Sequence, residues 1–482
     1  MNSAQELRSR WILWTLAAFA FAWAILRAAV QSITIDEAVT YNVFVFNRRF
    51  FWYAANNHIL NSALMYGFTK AFGVSQFTAR LPALLGAALY IAAAYRLCRL
   101  LGPSVFVPVT VFVCLVFNPF IFDHLVAARG YGLALAFLMW AIVYFAEASL
   151  AGRYLVFACA VSSACAGMSV SANFSFAFVA AVTMSSILVR ALRKRPNEWF
   201  RLASACLLPA AAVIAIVSGY ALRHWEPGQL IYGAHGLRET FGTVLEASLF
   251  QNRFGFLKPL VFPLVMVTGV LWLASALRTG AEPNIASLGG AASAIFAVTL
   301  AVHWLSFRLF GLLLPKDRTA IYFFPLFMIA AGALASVPPS LNLARYLRGA
   351  FLGSLALMGV YFLLCLRLTY FKEWFWDADV QKTYAVLSCL NRDHHVRQVA
   401  TTWSYEAALN FYQLAQPTSM EEIGEHFDPA RTQVYVVDSF HTPEALEGKN
   451  LKIFYRSPAT DLVLAASPVL ADAYASGTCF RL

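Results

Sequence analysis

The sequence predicts an all-α polytopic membrane protein of about 11 transmembrane helices, with outer juxtamembrane helices and a small C-terminal α/β domain. Three observations carry this. Of 482 residues, 60% are hydrophobic and 13% charged, with a mean hydropathy of +0.63; soluble domains lie nearer 45–50% apolar and about 25% charged. Apolar runs of about 20 residues, enough to cross a bilayer, recur up to residue 370. From Asp377 the chain becomes charged, with short β-like runs. The division that follows is 1–370 for the membrane module and 377–482 for an extracytoplasmic α/β domain. The net charge of +11 sits in short loops between spans. That pattern orients a protein in a bilayer and is not a phosphate-binding face, so no nucleic-acid partner is expected.

The first span, Trp11–Val30, follows Arg8 and Arg10 and lacks a small-x-small cleavage site, so it reads as a retained anchor. Next comes Thr34-Ile-Asp-Glu-Ala-Val-Thr-Tyr41. Thr34-x-x-Glu37 is a capping box, in which a hydroxyl and a carboxylate each satisfy an open amide at a helix start. Val39, Val43, Phe46, Phe50 and Tyr53 recur at helical spacing, predicting an amphipathic helix along the membrane surface. The box gives Glu37 a structural task. Asp36 falls on the side of Val43 and Phe50, ionised in a first turn that favours negative charge. Both acids are candidates for chemistry, Asp36 first.

Residues 58–72 end at Gly73 and are too short to cross comfortably, which predicts a second surface or re-entrant helix. The spans that follow are 79–98, 104–122, 131–149, 153–171, 173–190, 202–222, 259–277, 285–305, 320–337 and 349–368. With the N-terminus cytoplasmic, the inner loops hold Arg96 and Arg99; Arg153; Arg190 and Arg193-Lys194-Arg195; Arg278; and Arg345 with Arg348. Every short inner loop is then basic, as the positive-inside rule requires. Counting 58–72 as a crossing would place the Arg193-Lys194-Arg195 run outside. The outer face receives 31–78, 123–130, 223–258, 306–319 and the tail. The 223–258 stretch, with several glycines, reads as a mobile lid.

In the tail, Val396–Trp403, Thr432–Ser439, Leu451–Tyr455 and Asp461–Ala465 read as strands, with helical patterns at 379–390, 404–415 and 443–447 between them. The eight cysteines show no metal-ligand spacing. Six lie in or beside apolar spans. Cys389 and Cys479 fall in the tail, where an oxidising compartment would allow them to pair.

Ionisable groups bordering an apolar body are functional candidates by default, and here they gather at the predicted outer face. Asp36, Glu37 and Tyr41 lie on the first outer helix, and Asn57 and His58 open the second, with Asn57 in N-cap position. Asp123 and His124 end the third span; Arg129 and Tyr131 begin the fourth; Arg318 and Tyr322 stand at the mouth of the tenth. Each has a plainer reading: a cap, a span end, a snorkelling arginine, or for Asp317 a surface partner of Arg318. Together, carboxylates, histidines and fixed cations suit transfer from a lipid-linked phosphate. A carboxylate takes the acceptor's proton, while cations or a metal stabilise the leaving phosphate.

The order of features resembles the GT-C superfamily of polytopic glycosyltransferases, in particular the branch of protein O-mannosyltransferases and the lipid A aminoarabinose transferase. The matching stretches are TIDEAVTY after the first span, NNHILNSALMYGFTKAFGVSQFTARLPALLGAALY leading into span two, and NPFIFDHLVAARGYGLALAF across spans three and four, with PKDRTAIYFFPLF a looser match. The resemblance implies a membrane glycosyltransferase of the bacterial inner membrane that takes a sugar from a polyprenyl-phosphate donor on the extracytoplasmic side. The acceptor would be a lipid, glycan or protein, and the transfer would invert the anomeric carbon. By the same resemblance Asp36 is the base, and Arg129 and Arg318 contact the lipid phosphate. Where many relatives carry an acidic or basic residue before Pro-Pro, this chain has Asn57-His58-Ile59-Leu60, which leaves His58 as the substitute there. No cofactor is implied with certainty, and a divalent metal stays open. The rival readings are a lipid flippase or secondary transporter, and a non-catalytic scaffold whose tail is the working part.

Overall fold

In the computed structural model the apolar runs fold, among the described residues, as ten single helices long enough to cross a membrane, plus an eleventh run broken by a 56° bend between Phe117 and Pro119. The structure describes residues 3–476 apart from 103, 152–153, 227–228, 230–231, 251–255, 257, 278–282, 340–341, 426–430 and 439–445. Arg153, Arg278, Cys479 and most of the helix expected at 443–447 therefore lie outside the described residues.

Helix α1 is Ser3–Val30, α2 Ile35–Val39, α3 Ile59–Phe72, α4 Gln76–Ala79 and α5 Leu81–Arg99. The broken run is α6, Phe106–Phe117, and α7, Pro119–Val126; then come α8, Tyr131–Ala151, α9, Leu155–Ala172, and α10, Ala177–Lys194. Next are α11, Trp199–Arg223, α12, Leu237–Ser248, α13, Lys258–Ala276, α14, Pro283–Phe310, α15, Phe323–Ser336, and α16, Asn342–Leu364. The tail holds α17, Val380–His394, β1, Val399–Thr401, α18, Trp403–Ala415, β2, Val434–Asp438, β3, Lys452–Arg456, β4, Leu462–Ala466, and α19, Pro468–Ser476.

The bend has a local cause. Pro119 lacks an N–H and crowds the residue before it, so the helix cannot run through Asn118. Asn118 instead caps the second half: its Oδ1 accepts from Phe120 N at 2.9 Å and Ile121 N at 3.1 Å. All eight residues of α7 are buried.

The chain divides into two compact units: residues 1–25, 51–61 and 82–366 in the first, and 26–50, 62–81 and 367–482 in the second. The first holds the membrane helices. The second gathers the end of α1, the acidic turn, most of α3 and α4 with the tail. Its sheet has the order β1-β2-β4-β3. β1 pairs parallel with β2, and the other two pairings are antiparallel. β2 and β4 are central and buried nearly throughout, and β3 is an exposed edge strand, which is why VYVVD and LVLAA are near-continuous apolar runs while KIFYR keeps its charges.

Two expectations need correction. The amphipathic helix after Glu37 does not reach Tyr53: α2 passes into a wide five-residue-bonded helix over Thr40–Phe46 and stops at Asn47, and Arg48 turns the chain at φ +56°. The wider turn shifts the phase of the side chains, so Phe50 and Tyr53 no longer continue the stripe. The 223–258 stretch, read as a lid loop, contains α12 over residues 237–248.

Candidate active site

The acidic turn is built as its sequence pattern dictates. Thr34 caps α2, its Oγ1 accepting from Glu37 N at 3.2 Å, while Glu37 Oε2 accepts from Thr34 N at 2.9 Å. Glu37 is also held within the second unit by Arg80. Arg80 Nε donates to Oε1 at 2.9 Å and NH2 to Oε2 at 2.6 Å, with both side chains fully buried. The remaining guanidinium hydrogens go to the carbonyls of Gln31 at 2.6 Å, Ser32 at 2.6 Å and Ala28 at 3.2 Å. Both oxygens of Glu37 are thus engaged in a closed buried network.

Asp36, one residue earlier, has a different setting. It is half-buried, and its Oδ2 accepts from the indole Nε1 of Trp374 at 3.2 Å. Asp377 approaches the same turn: its Oδ2 accepts from Ile35 N at 2.8 Å, while its Oδ1, buried, has no hydrogen-bond partner among the described residues. Burial, and then the neighbouring charges of Asp36 and Glu37, push the Asp377 carboxyl well above the usual carboxylate range, against the pull of the Ile35 amide. Asp36 therefore shares its turn with a carboxyl biased towards its neutral form. Tyr41 is buried, its ring edge-on to Phe411 at 5.2 Å, and burial raises its phenol above the ordinary value, partly offset by Thr69. Ile33 N donates to the Tyr412 hydroxyl at 2.9 Å, which itself donates to Gln76 at 2.6 Å. The tail thus grips the stretch on both sides of its acids.

A second group forms inside the first unit. His58 is buried, 5% exposed, and its Nε2 has no hydrogen-bond partner among the described residues. Its ring meets Tyr131 edge-on at 5.3 Å, and His124 meets the same tyrosine at 5.1 Å. Gly130 makes this closeness achievable. At φ +75° it sits where a Cβ would lie 2.4 Å from Ala172 O and 2.9 Å from the His58 Cβ. Burial first, then the charges of Arg129 and Arg318, then His124, lower the His58 imidazole well below its ordinary range. His58 is therefore neutral, facing two fixed cations.

The other predicted residues fall as follows. Asp123 and His124 lie buried on α7, with His124 Nδ1 at 3.0 Å from Phe120 O. Asn57 donates from its amide to Trp52 O at 2.8 Å, closing the loop ahead of α3. Arg129 is 3% exposed. Arg318 is half-buried, its guanidinium 5.7 Å from the Tyr232 ring. Asp317 accepts from the Tyr232 hydroxyl at 2.7 Å, and Lys316 pairs with Glu239 at 2.7 Å, so this turn is tied to the segment that carries α12. Tyr322 is fully buried, with its hydroxyl 2.7 Å from His303 Nε2. The structure thus brings His58, His124, Arg129, Tyr131 and Arg318 together in one unit and sets Asp36, Glu37 and Tyr41 in the other. Arg80, Trp374, Asp377 and His303 were not singled out by sequence, because their partners lie 19 to 342 residues away. Among the described residues no group of three or more His, Cys, Asp or Glu side chains is arranged to hold a metal ion.

No protein-family model matches the chain. Nor does any curated protein match it in sequence. Solved structures do. ArnT from Cupriavidus metallidurans bound to undecaprenyl phosphate superimposes with a TM-score of 0.53 at 13% identity, covering 95% of this chain and 98% of that one. The arabinofuranosyltransferase AftD from mycobacteria (TM-score 0.48, 13% identity, 95% and 41% covered) and the Archaeoglobus fulgidus oligosaccharyltransferase (0.43, 12%, 95% and 73%) are more distant. The ArnT superposition, over nearly the whole of both chains, shows the architecture of GT-C glycosyltransferases.

Proposed function

We propose, from the GT-C fold that this chain has, that it is an integral membrane glycosyltransferase moving a sugar from a polyprenyl-phosphate donor to an acceptor on the extracytoplasmic side. The observation that carries the reading is the contrast between two adjacent acids. Glu37 is fully buried and locked in an ion pair with Arg80, whereas Asp36 is only half-buried, its Oδ2 accepting the indole N–H of Trp374. In this reading Glu37 fixes the turn, and Asp36 takes the proton from the acceptor hydroxyl or amine. The acceptor oxygen or nitrogen then forms its bond to the anomeric carbon as the bond to the phosphate oxygen breaks, and the electron pair leaves with the lipid phosphate. A single displacement inverts that carbon.

Arg129 and Arg318 take the phosphate charge, and His58, neutral and buried beside them, is placed to donate a hydrogen bond to a phosphate oxygen. His124 and Tyr131 hold the imidazole in place. The division of the chain, 1–370 for the membrane module and 377–482 for an extracytoplasmic domain, is part of the same proposal. The basic loops favour a cytoplasmic N-terminus, and the bacterial inner membrane as its setting belongs to the same proposal.

The test is transfer by purified protein from a panel of synthetic polyprenyl-phosphate pentoses and hexoses. Asp36→Asn should reduce turnover by about 10²–10⁴-fold, the range for loss of a general base, with normal membrane insertion. Wild-type turnover in that variant would remove Asp36 from the role, and a product of retained anomeric configuration would overturn the single displacement.

A further inference from the structure

A cavity of about 270 Å³ lies between α8, α10 and α14, and nothing in the proposed reaction uses it. It lies towards the other end of α8 from Tyr131. Ile142 and Phe145, which line it, are 11 and 14 residues further on, roughly 15–20 Å along the helix axis. This is the end that carries Arg190, Arg193, Lys194 and Arg195, and so the cytoplasmic end by the positive-inside rule.

The lining is graded along the helices. On α10, Thr183, Ile187, Arg190 and Lys194 recur at three- and four-residue spacing, one stripe whose outermost members are the two cations. On α14 the lining begins with Ser287 at the same level as the cations and proceeds inward through Leu288 and Ala291 to Ile295. The mouth is therefore cationic and hydroxylic, and the depth is mainly apolar, with the hydroxyls of Thr183 and Ser186 as its polar members.

The charge of Arg190 is not answered by an acid of the protein. Its NH1 donates to Ser287 O at 3.1 Å and Ser287 Oγ at 3.0 Å, both neutral acceptors, and it pairs with no carboxylate among the described residues. The neighbouring acids are occupied: Glu147 accepts from Arg96 Nε at 2.6 Å and Glu198 from Arg195 at 3.2 Å. A wider groove near the same end, lined by Arg10 and Arg99, differs in this respect, because Arg10 pairs with Glu6 at 2.6 Å.

We propose that this cavity seats an anionic phospholipid of the cytoplasmic leaflet. Its phosphate lies between Arg190, Lys194 and the Ser287 hydroxyl, and the start of one acyl chain lies against Ile142, Phe145 and Leu288. Basic pockets between membrane helices at the cytoplasmic side bind lipid headgroups in this way. The occupant is a structural lipid, chemically distinct from the sugar donor, and binding alone tests it without reference to sugar transfer.

The experiment is native mass spectrometry on delipidated full-length protein, titrated with dioleoyl phosphatidylglycerol or dioleoyl phosphatidylcholine. Wild type should retain one phosphatidylglycerol with roughly tenfold preference over phosphatidylcholine, the order expected of two cations at a headgroup. Arg190→Gln/Lys194→Gln should lose the preference. Arg193→Gln/Arg201→Gln, which removes the same charge from exposed positions at the same end, should keep it. Ala291→Trp, which fills the cavity and leaves the charges, should lose the bound lipid while the protein elutes and melts as wild type. Equal loss in both double variants would mean general charge attraction and overturn the site. Displacement of the lipid by 10 mM inorganic phosphate would overturn the lipid assignment in favour of a free-anion site. Retained lipid in a folded Ala291→Trp protein would overturn it as well.

Discussion

Asp377 accepts the backbone N–H of Ile35 at 2.8 Å across 342 residues of sequence. One carboxyl of the tail is thereby fixed beside the turn that presents Asp36. Its second oxygen is buried without a hydrogen-bond partner among the described residues, and its proton is held more tightly than an ordinary aspartic acid's.

That relationship sets a pH dependence. Asp377 has a folded pKa above its unfolded value of about 3.9. Between the two, the folded state binds the proton and the unfolded state does not, so stability falls as pH rises through the window. Asp377→Asn, neutral at all pH, should flatten this dependence while keeping an oxygen for the Ile35 amide. Thermal melts of detergent-solubilised protein from pH 4 to 9 measure it. Parallel curves for wild type and variant would show that Asp377 is not the titrating group.

The Arg80–Glu37 pair separates anchoring from chemistry. Removing one partner of a buried pair costs about 3–5 kcal/mol, because the other charge is left without an answer. Arg80→Gln or Glu37→Gln should therefore lower the melting temperature markedly, whereas Asp36→Asn, at a half-exposed position, should leave it nearly unchanged and lose turnover instead. If Glu37→Gln melts as wild type and loses turnover, the assignments of the two acids are reversed.

His58 predicts a proton uptake. Its imidazole is neutral because of burial and the two guanidinium charges, and an anion arriving beside it opposes those charges and raises its pKa. Binding of undecaprenyl phosphate near pH 7 should then take up as much as about one proton more in wild type than in His58→Gln. Calorimetry in buffers of differing ionisation enthalpy gives the number, and equal uptake by both proteins would remove His58 from the phosphate's surroundings.

Gly130 offers a steric test. A methyl group there meets the Ala172 carbonyl at 2.4 Å, in a backbone conformation at φ +75° that L-residues rarely adopt. Gly130→Ala should destabilise by about 1–3 kcal/mol and disturb the His58 ring it would touch. Gly67, in α3, has nothing within 4 Å of the point where a Cβ would stand and is the control: Gly67→Ala should stabilise by up to about 1 kcal/mol through helix propensity alone. Expression level and melting temperature distinguish the pair.

What could be read from the sequence was what local chemistry decides. The length of the apolar runs located the eleven candidate spans found among the described residues, counting the run that bends at Pro119 as one. The capping box at Thr34 and Glu37 is present with both of its hydrogen bonds. The four strands of the tail lie within the predicted runs or overrun them by one residue. What escaped depends on distant partners or on competing local geometry. Periodicity cannot show that Glu37 will meet Arg80, or that Asp36 will meet Trp374. The wide helical turn at 40–46 preserves apolar spacing for one turn and then breaks its phase. In α12 the pattern is mixed, with Gly236 just before the helix and Gly242 inside it, so its composition reads as loop although tertiary contacts make it helix.

The composition of the second unit has a consequence for biosynthesis. Residues 26–50 emerge from the ribosome long before residues 367–482, yet they belong to one compact body. At about 5–20 residues per second, the interval between Ile35 and Asp377 is roughly 17–70 s. Throughout that time the nascent acidic segment has its helix cap but lacks Asp377, Trp374 and Tyr412. A message truncated before codon 374 would yield a chain with every apolar span in place and an acidic turn that never receives its partners, exposed to quality-control proteases for want of its last quarter.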